Sequence, residues 1–413
     1  MKYGLIGEKL GHSFSKEIHR CFGDYEYELC EVAKGELDRF MRDRDFCGIN
    51  VTIPYKEAVI PYLDWIDESA KEIGAINAII NNNGRLYGYN TDFFGMIALF
   101  EHAGIDAKDR KAAILGSGGT SKTAEVVLRS LGAAEILKVS RSGKGGAITY
   151  EELYDKHSDA EIIVNTTPVG MLPNIFDCPI DLTRFDKLSG LIDAVYNPIN
   201  TTLVQRAMAM GIKAEGGLYM LVAQAAQASE LFLNENGNAS PYKLNKAFEE
   251  IKAKKQNIVL VGMPASGKST VGKILADRLG RKLIDTDELI ESKTGMAIKD
   301  IFAKWGEGKF REIESEITGE LSDKTSLVIS TGGGTILDPN NISALKYNGK
   351  ICFIDRPLQD LIPTDTRPLS SDRASIEKRY NERYSIYCDC CDLHIDANCD
   401  AEAVAEKILE SLK

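Results

Sequence analysis

Nine consecutive residues carry the clearest chemistry in the sequence: Gly262-Met263-Pro264-Ala265-Ser266-Gly267-Lys268-Ser269-Thr270. The spacing G-x-x-x-x-G-K-[ST] sits between an apolar run, Ile258 to Val261, and a helical pattern, Val271 to Leu279. That context is the one a phosphate-binding loop requires. Glycines let successive backbone N–H groups face one anion, and the helix that follows adds the dipole of its N-terminus. Lys268 reaches the β- and γ-phosphates of a nucleotide, and the Ser269 hydroxyl can ligate Mg²⁺. Gly262, Ser266, Gly267 and Thr270 complete the expected nucleotide contacts. A strand end follows at Leu283-Ile284-Asp285-Thr286-Asp287. It offers two carboxylates, one able to serve Mg²⁺ and the other able to orient or deprotonate an acceptor hydroxyl, the two carboxylate tasks of phosphoryl transfer.

A second glycine loop lies earlier in the chain. Lys111 to Leu115 reads as a buried strand, Gly116-Ser117-Gly118-Gly119-Thr120-Ser121 follows, and a helical stretch runs on through Leu131. This is a dinucleotide-binding fingerprint with Ser121 at the third glycine position, so Gly116, Gly118, Gly119 and Thr120 are expected at a pyrophosphate. The next strand, Glu135 to Val139, ends in Ser140-Arg141-Ser142 with Lys144 close by. An NAD site expects an acidic residue there for the ribose 2′-hydroxyl, whereas an arginine accommodates a 2′-phosphate. The pattern predicts NADP, with Arg141 as the phosphate fork.

Four segments before residue 100 are weak singly: Gly11-His12-Ser13-Phe14-Ser15 through His19, Gly48-Ile49-Asn50-Val51-Thr52 through Lys56, Gly74-Ala75-Ile76-Asn77, and Gly88-Tyr89-Asn90-Thr91-Asp92. Ser13 or Ser15 can cap a helix or bind a carboxylate. A lone Lys56 is ordinarily a solvated charge, and Asn77 and Asp92 are ordinary turn residues. In this order, however, the set resembles the shikimate dehydrogenase family, with its H-S-x-S, N-V-T-x-P-x-K, G-A-x-N and N-T-D segments. Ile162 to Met171, Asp193 to Pro198 and Gly217 to Gln224 fit the same pattern. The resemblance implies that Ser13 and Ser15 hold a substrate carboxylate and that Thr52, Lys56, Asn77 and Asp92 surround the ring hydroxyls. It makes Lys56 and Asp92 the catalytic pair, sets Gln224 on the substrate and sets Gly217 beside the cofactor. The pairing is chemically sensible: hydride reduction of a ketone leaves an alkoxide, and an ammonium held by a carboxylate can protonate it. Lys16 and Phe93 depart from the family pattern, which usually has Pro and a small residue there.

After residue 257 a second ordered set appears. Phe310-Arg311 falls on a helical stretch, Ser330-Thr331-Gly332-Gly333-Gly334-Thr335 follows a strand, Arg367-Pro368-Leu369 lies in a loop-like region, and Arg383 lies on a late helix. With the phosphate loop and D-T-D, this resembles shikimate kinase over about residues 257–397. The resemblance implies that Asp287, Arg311, Arg383 and the run Gly332, Gly333, Gly334 bind shikimate, that Asp285 supports Mg²⁺, and that Arg367 closes on the phosphates of ATP. Residues 355–366 are shorter than the family's lid and carry two prolines. A shorter lid is expected to exclude water less well, giving measurable ATP hydrolysis without shikimate.

These residues need strands and helices in alternation to position them, so the fold class is α/β: a two-domain dehydrogenase with a Rossmann-like NADP domain, followed by a P-loop kinase domain. The expected boundaries are a substrate domain at 1–100 completed by about 217–235, an NADP domain at 101–216, a linker at 236–256 and a kinase at 257–413. The polar stretch Asn234 to Pro241 reads as a break. Tyr242 to Gln256 reads as a charged helix, open between a semi-rigid connector and a docked helix. A chain of 413 residues accommodates this many domains. Its net charge of −11 argues against a general nucleic-acid binder. No apolar run approaches the roughly 18 residues of a membrane helix, and the N-terminus shows no signal-peptide pattern, so a cytoplasmic enzyme is expected. The nine cysteines read as reduced thiols, and the spacing of Cys388, Cys390, Cys391, His394 and Cys399 matches no common zinc pattern. The resemblance implies NADPH-dependent reduction of 3-dehydroshikimate to shikimate, then MgATP-dependent phosphorylation to shikimate 3-phosphate, with small-molecule substrates as partners and neither nucleic acid nor membrane among them. The alternative is an active dehydrogenase carrying a C-terminal nucleotide-binding regulatory module.

Overall fold

The computed structural model describes residues 1–10, 14–362 and 372–412. Ser13 and Arg367, both expected at ligands, lie outside the described residues. The chain divides into two compact units, Met1–Lys252 and Ala253–Lys413.

The first unit contains two sheets. Strands β1 (Tyr3–Gly7), β2 (Tyr27–Glu31), β3 (Gly48–Val51), β4 (Trp65–Ile66), β5 (Ala78–Asn82) and β6 (Arg85–Tyr89) run in the order β2-β1-β3-β5-β6-β4. β5 and β6 form an antiparallel hairpin. Its two-residue turn is Asn83-Gly84, both at positive φ (52° and 84°), the conformation that matches the twist of paired strands. Strands β7 (Lys111–Leu115), β8 (Glu135–Val139), β9 (Ile162–Asn165), β10 (Gly190–Asp193) and β11 (Lys213–Glu215) form a parallel sheet in the order β11-β10-β9-β7-β8. Successive residues of β7 face opposite layers. Ala112 and Ile114 pack with the helix Thr91–Ala103, while Ala113 and Leu115 pack with Leu203 and Val204.

The helix Leu218–Leu233 returns from the second sheet to the first. Ala228 and Phe232 are buried with Leu5, Leu10 and Tyr27. It also lies along Thr91–Ala103, where Gly95 is required: a Cβ there would fall 2.8 Å from the Met220 carbonyl oxygen. Residues 242–255 belong to the helix Pro241–Lys255, which buries Leu244, Ala247, Phe248 and Ile251 in the same core. Burying each large side chain of this kind is worth about 1.5–3 kcal/mol, so this helix is packed structure up to the unit boundary.

In the second unit β12 (Asn257–Val261), β13 (Lys282–Asp285), β14 (Leu327–Ser330), β15 (Gly349–Asp355) and β16 (Leu393–Asp396) form a parallel sheet in the order β13-β14-β12-β15-β16. β12 is buried throughout, as expected of a central parallel strand covered on both faces. Ile258 and Leu260 pack on Val271 and Leu275 of the helix Lys268–Leu279, while Val259 and Val261 join Ile317 and Tyr387 on the other side. Both parallel sheets reverse winding direction beside their first strand, β7 and β12. Open α/β sheets bind ligands outside the carboxyl ends of the strands at such points. Among the described residues, no helix is long and apolar enough to cross a membrane.

Candidate active sites

In the first unit a cavity of about 430 Å³ opens where β3, the helix Thr91–Ala103 and the helix Leu218–Leu233 meet. Ser15, Thr52, Lys56, Asn77, Asp92 and Gln224 all line it. Lys56 Nζ donates to Asp92 Oδ2 at 2.6 Å, with the side chains 30% and 13% exposed. Asn90 caps the helix that carries Asp92, accepting from Phe93 N, and donates to the Ala75 carbonyl. Asp92 therefore sits in a first helical turn, where the dipole favours its anion. Asn77 is fixed at both ends of its amide: Oδ1 accepts from Thr91 N at 2.6 Å and Nδ2 donates to Gln224 Oε1 at 3.4 Å. Ser15 opens the helix Ser15–His19, and Phe14 holds the cap position without a side-chain cap bond.

Two further polar residues, His19 and Asn50, line this wall without a role assigned from the sequence, and Tyr27 links them. Tyr27 donates to Asn50 Oδ1 at 2.8 Å, Asn50 Nδ2 donates to the Asn77 carbonyl, and His19 stacks on Tyr27 at 3.9 Å. Complete burial lowers the His19 imidazole to about 3, so it is neutral at ordinary pH. Asn50 and His19 belong to segments that stand out in the sequence, but their link through Tyr27 crosses strands and has no local signature.

The candidate cofactor crevice is the one that the topology places outside the carboxyl ends of β7 and β9. Gly116 has φ +114°, and a Cβ on it would fall 2.7 Å from Thr166 Oγ1. Gly118 caps the helix Gly119–Ser130, which presents its N-terminus to the crevice with Thr120 in the first turn. Ser140 is buried and its Oγ accepts from Gly143 N at 3.2 Å, so this hydroxyl shapes the turn that exposes Arg141 and Ser142. Among the described residues no carboxylate pairs with Arg141, which leaves its fork open to an anion. Gly217 packs directly on the Ala194 carbonyl, where a side chain would clash.

Below that crevice Asp193 is fully buried. It accepts from Asn165 Nδ2 (2.9 Å), Val195 N (3.0 Å) and Thr201 Oγ1 (2.6 Å), and Asn165 Oδ1 in turn accepts from Thr167 N and Oγ1. One carboxylate thus ties together the loops after β9 and β10. Burial raises its pKa to about 6 against the pull of those donors.

In the second unit the glycine loop takes positive φ at Gly262, Ala265 and Gly267, turning backbone N–H groups toward one centre. Lys268 is buried, with Nζ 2.9 Å from the carbonyls of Gly262 and Met263. Ser266 Oγ is buried without a hydrogen-bond partner. An orphaned hydroxyl inside a ring of N–H donors fits a phosphate ligand. Ser269 Oγ donates to Asp285 Oδ2 at 2.6 Å, and Asp285 Oδ1 caps the next helix at Asp287 N. This hydroxyl–carboxylate pair is the oxygen donor set Mg²⁺ prefers.

The glycine run joins the remaining groups. A Cβ on Gly332 would fall 2.9 Å from Asp287 Oδ1, and one on Gly333 2.9 Å from Pro264 Cδ. Gly334 lies against the Arg311 guanidinium, its Cβ position 2.5 Å from Cζ. The Gly333 carbonyl accepts from Arg383 Nη1 at 3.0 Å and from Tyr387 OH. Asp287, Arg311, Arg383 and the phosphate loop therefore converge on one backbone segment. Sequence reasoning missed Glu314, 1% exposed, whose Oε2 accepts from Arg311 Nη1 at 2.6 Å. Its i, i+3 spacing from Arg311 on a helix was the available signal. The thiols of Cys390 and Cys391 are spent on helix carbonyls, and all nine cysteines are free.

The family model for the shikimate dehydrogenase substrate binding domain matches residues 5–79, and that for shikimate kinase matches residues 264–413. Shikimate dehydrogenase (NADP(+)) of Clostridium beijerinckii is 39% identical over 247 residues, covering 56% of this chain and 91% of the relative. The crystal structure of shikimate dehydrogenase 1 from Peptoclostridium difficile superposes with a TM-score of 0.55 at 37% identity, covering 61% of this chain and 98% of that one. The Thermus thermophilus enzyme, solved with NADP(H) and shikimate, gives 0.53 at 28% identity over 60% of this chain and 99% of its own. The chain thus belongs to the shikimate dehydrogenase family through its first unit and carries a shikimate kinase domain in its second.

Proposed function

We propose that this protein catalyses two consecutive steps: reduction of 3-dehydroshikimate to shikimate with NADPH, then phosphorylation of the shikimate 3-hydroxyl with MgATP. The observation that carries the first step is the Lys56–Asp92 pair at 2.6 Å on a cavity wall that also bears Thr52, Asn77 and Gln224. The second rests on the convergence of Lys268, Asp287, Arg311 and Arg383 around Gly332–Gly334.

Bound NADPH supplies the hydride of the first step, and MgATP supplies the phosphoryl group of the second. In the first unit Lys56 donates a proton to the alkoxide as it forms, and Asp92 keeps that ammonium aimed. Thr52, Asn77 and Gln224 orient the ring hydroxyls, and Ser15 and Ser13 hold the carboxylate. Gly116, Gly118, Gly119, Thr120 and Gly217 bring backbone close to the dinucleotide, and Arg141 with Ser142 binds the 2′-phosphate. In the second unit Gly262, Ser266, Gly267, Lys268 and Thr270 cradle the nucleotide phosphates, Ser269 and Asp285 hold Mg²⁺, and Arg367 closes on the phosphates. Asp287 accepts the hydroxyl proton, Lys268 stabilises charge on the transferred group, and Arg311, Arg383 and the glycine run hold the acceptor.

One assay tests both steps. Purified protein receives 3-dehydroshikimate, NADPH and MgATP, and NADPH loss and shikimate 3-phosphate formation are followed in the same tube. Both signals are expected. NADPH loss without phosphate ester would make the second unit a nucleotide-binding regulatory module instead.

A further inference from the structure

Arg311 donates to two carboxylates of very different character. Glu314 is part of the core, and its Oε1 also accepts from Thr335 Oγ1 at 2.7 Å. Glu307 Oε1 accepts from Arg311 Nη2 at 3.1 Å, and its side chain is 51% exposed. Glu307 directly follows Gly306, whose φ of 79° and ψ of 175° break the helix Ile298–Leu321. A glycine joint of this kind lets the next side chain be re-aimed at little steric cost.

Across the site, Arg379 lies one turn before Arg383 on the helix Arg373–Cys390. It is half-buried, and its Nη1 meets the Ser375 carbonyl at 3.2 Å. Among the described residues no carboxylate is within ion-pair distance of it. Like charges four apart on a helix repel, and Arg383 is only 6% exposed. Burial and then Arg383 lower the Arg379 pKa, and Glu307 is the first of the carboxylates that oppose this. A half-buried guanidinium with no counter-ion among the described residues thus stands within electrostatic reach of a carboxylate that is engaged elsewhere.

We propose that Glu307 is an internal stand-in for the acceptor's carboxylate, occupying Nη2 of Arg311 until the acceptor takes that place, and then pairing with Arg379. The inference deepens the kinase reading above and rests on it. Arg311 is thereby kept aimed before the acceptor arrives, and the displaced charge has a prepared partner. Glu307 and Arg379 act as positioning residues that set acceptor affinity.

The test is the shikimate KM of the full-length protein in the kinase direction, at saturating MgATP, for the parent, E307Q, R379A and the double variant. Removing the competing charge of an exposed pair should lower the shikimate KM of E307Q about two- to fivefold, with the MgATP KM unchanged. R379A should raise the shikimate KM in the parent and leave it unmoved in the E307Q background. Shikimate methyl ester, which lacks the carboxylate charge, should show no gain in kcat/KM from E307Q. An unchanged or raised KM in E307Q overturns the proposal, as does an equal effect of R379A in both backgrounds, which would put Arg379 on the acceptor itself. A parent protein that forms no phosphate ester would instead remove the kinase reading on which the proposal stands.

Discussion

Replacing Lys56 with Met separates the proton-donor role from simple binding. Met keeps the length and apolar stem of Lys and removes only the ammonium. In the structure that ammonium lies 2.6 Å from Asp92 Oδ2, on a wall where Asn77 and Gln224 stay fixed by their own hydrogen bonds. The rest of the pocket should therefore survive. A positioned general acid is worth about 10²–10⁴-fold in rate, which corresponds to about 3–5 kcal/mol of barrier. One lost substrate hydrogen bond from a charged donor is worth about 1.5–3 kcal/mol, so the KM for 3-dehydroshikimate should rise at most about 100-fold, less than the upper range of the rate loss. The loss should thus fall mainly on kcat.

NADPH consumption at saturating 3-dehydroshikimate reads this directly. Shikimate 3-phosphate formation from added shikimate, in the same preparation, serves as an internal standard for the amount of active protein, because the kinase residues lie in the other compact unit. Asp92→Asn should cost less than Lys56→Met, since the donor remains and only its charge partner is lost. A kcat within about tenfold of the parent for Lys56→Met, or a defect confined to KM, would refute the assignment of Lys56 as proton donor.

Arg141→Ala should raise the NADPH KM by about 10–100-fold, the worth of a charge-assisted hydrogen bond to a phosphate, and should change the NADH KM little; an unchanged NADPH KM removes the 2′-phosphate role. Gly334→Ala places a methyl group on the Arg311 guanidinium, so the shikimate KM of the kinase step should rise at least about tenfold while NADPH consumption stays at the parent rate. Asp193 gives a pH-dependent stability difference. Its folded pKa of about 6 lies above the ordinary 3.8, so the folded state binds this proton more tightly than the unfolded chain. That stabilisation is complete below about pH 4 and lost as the pH rises through about 6, a change of about 3 kcal/mol. In urea unfolding followed by Trp65 in a Trp305→Phe background, Asp193→Asn should gain on the parent by that amount between those pH values; a difference that does not vary with pH contradicts this.

What is legible in the sequence is what is local. The phosphate loop, the Gly116–Ser121 loop and the Asp285–Asp287 pair each sit at one strand end, so contiguous residues reveal them. The highly charged composition of the helix Pro241–Lys255 leaves its role open between connector and docked helix. Its buried positions 244, 247, 248 and 251 nevertheless follow helical spacing, and that periodicity is the better guide. The chain from Tyr27 through Asn50 to Asn77 is not legible, because it depends on which strands become neighbours in the sheet. Nor is the seating of Arg311 on Gly334, since the glycines signal only that something approaches closely.

The two glycine loops also explain why the chain needs both. Each follows the first strand of a parallel sheet and opens a helix, so each offers backbone N–H groups and a helix dipole to an anion. The Gly116–Ser121 loop contains no cation. On the proposed function that suffices, because a pyrophosphate that is only held keeps the same charge before and after hydride transfer. The Gly262–Thr270 loop adds the buried Lys268 and the Ser269–Asp285 pair. On the proposed function, those groups act where charge moves between the β- and γ-phosphates during reaction, and where stabilisation must be aimed at the transition state. The difference in residue content between two loops of similar shape therefore follows the difference between holding a phosphate and transferring one.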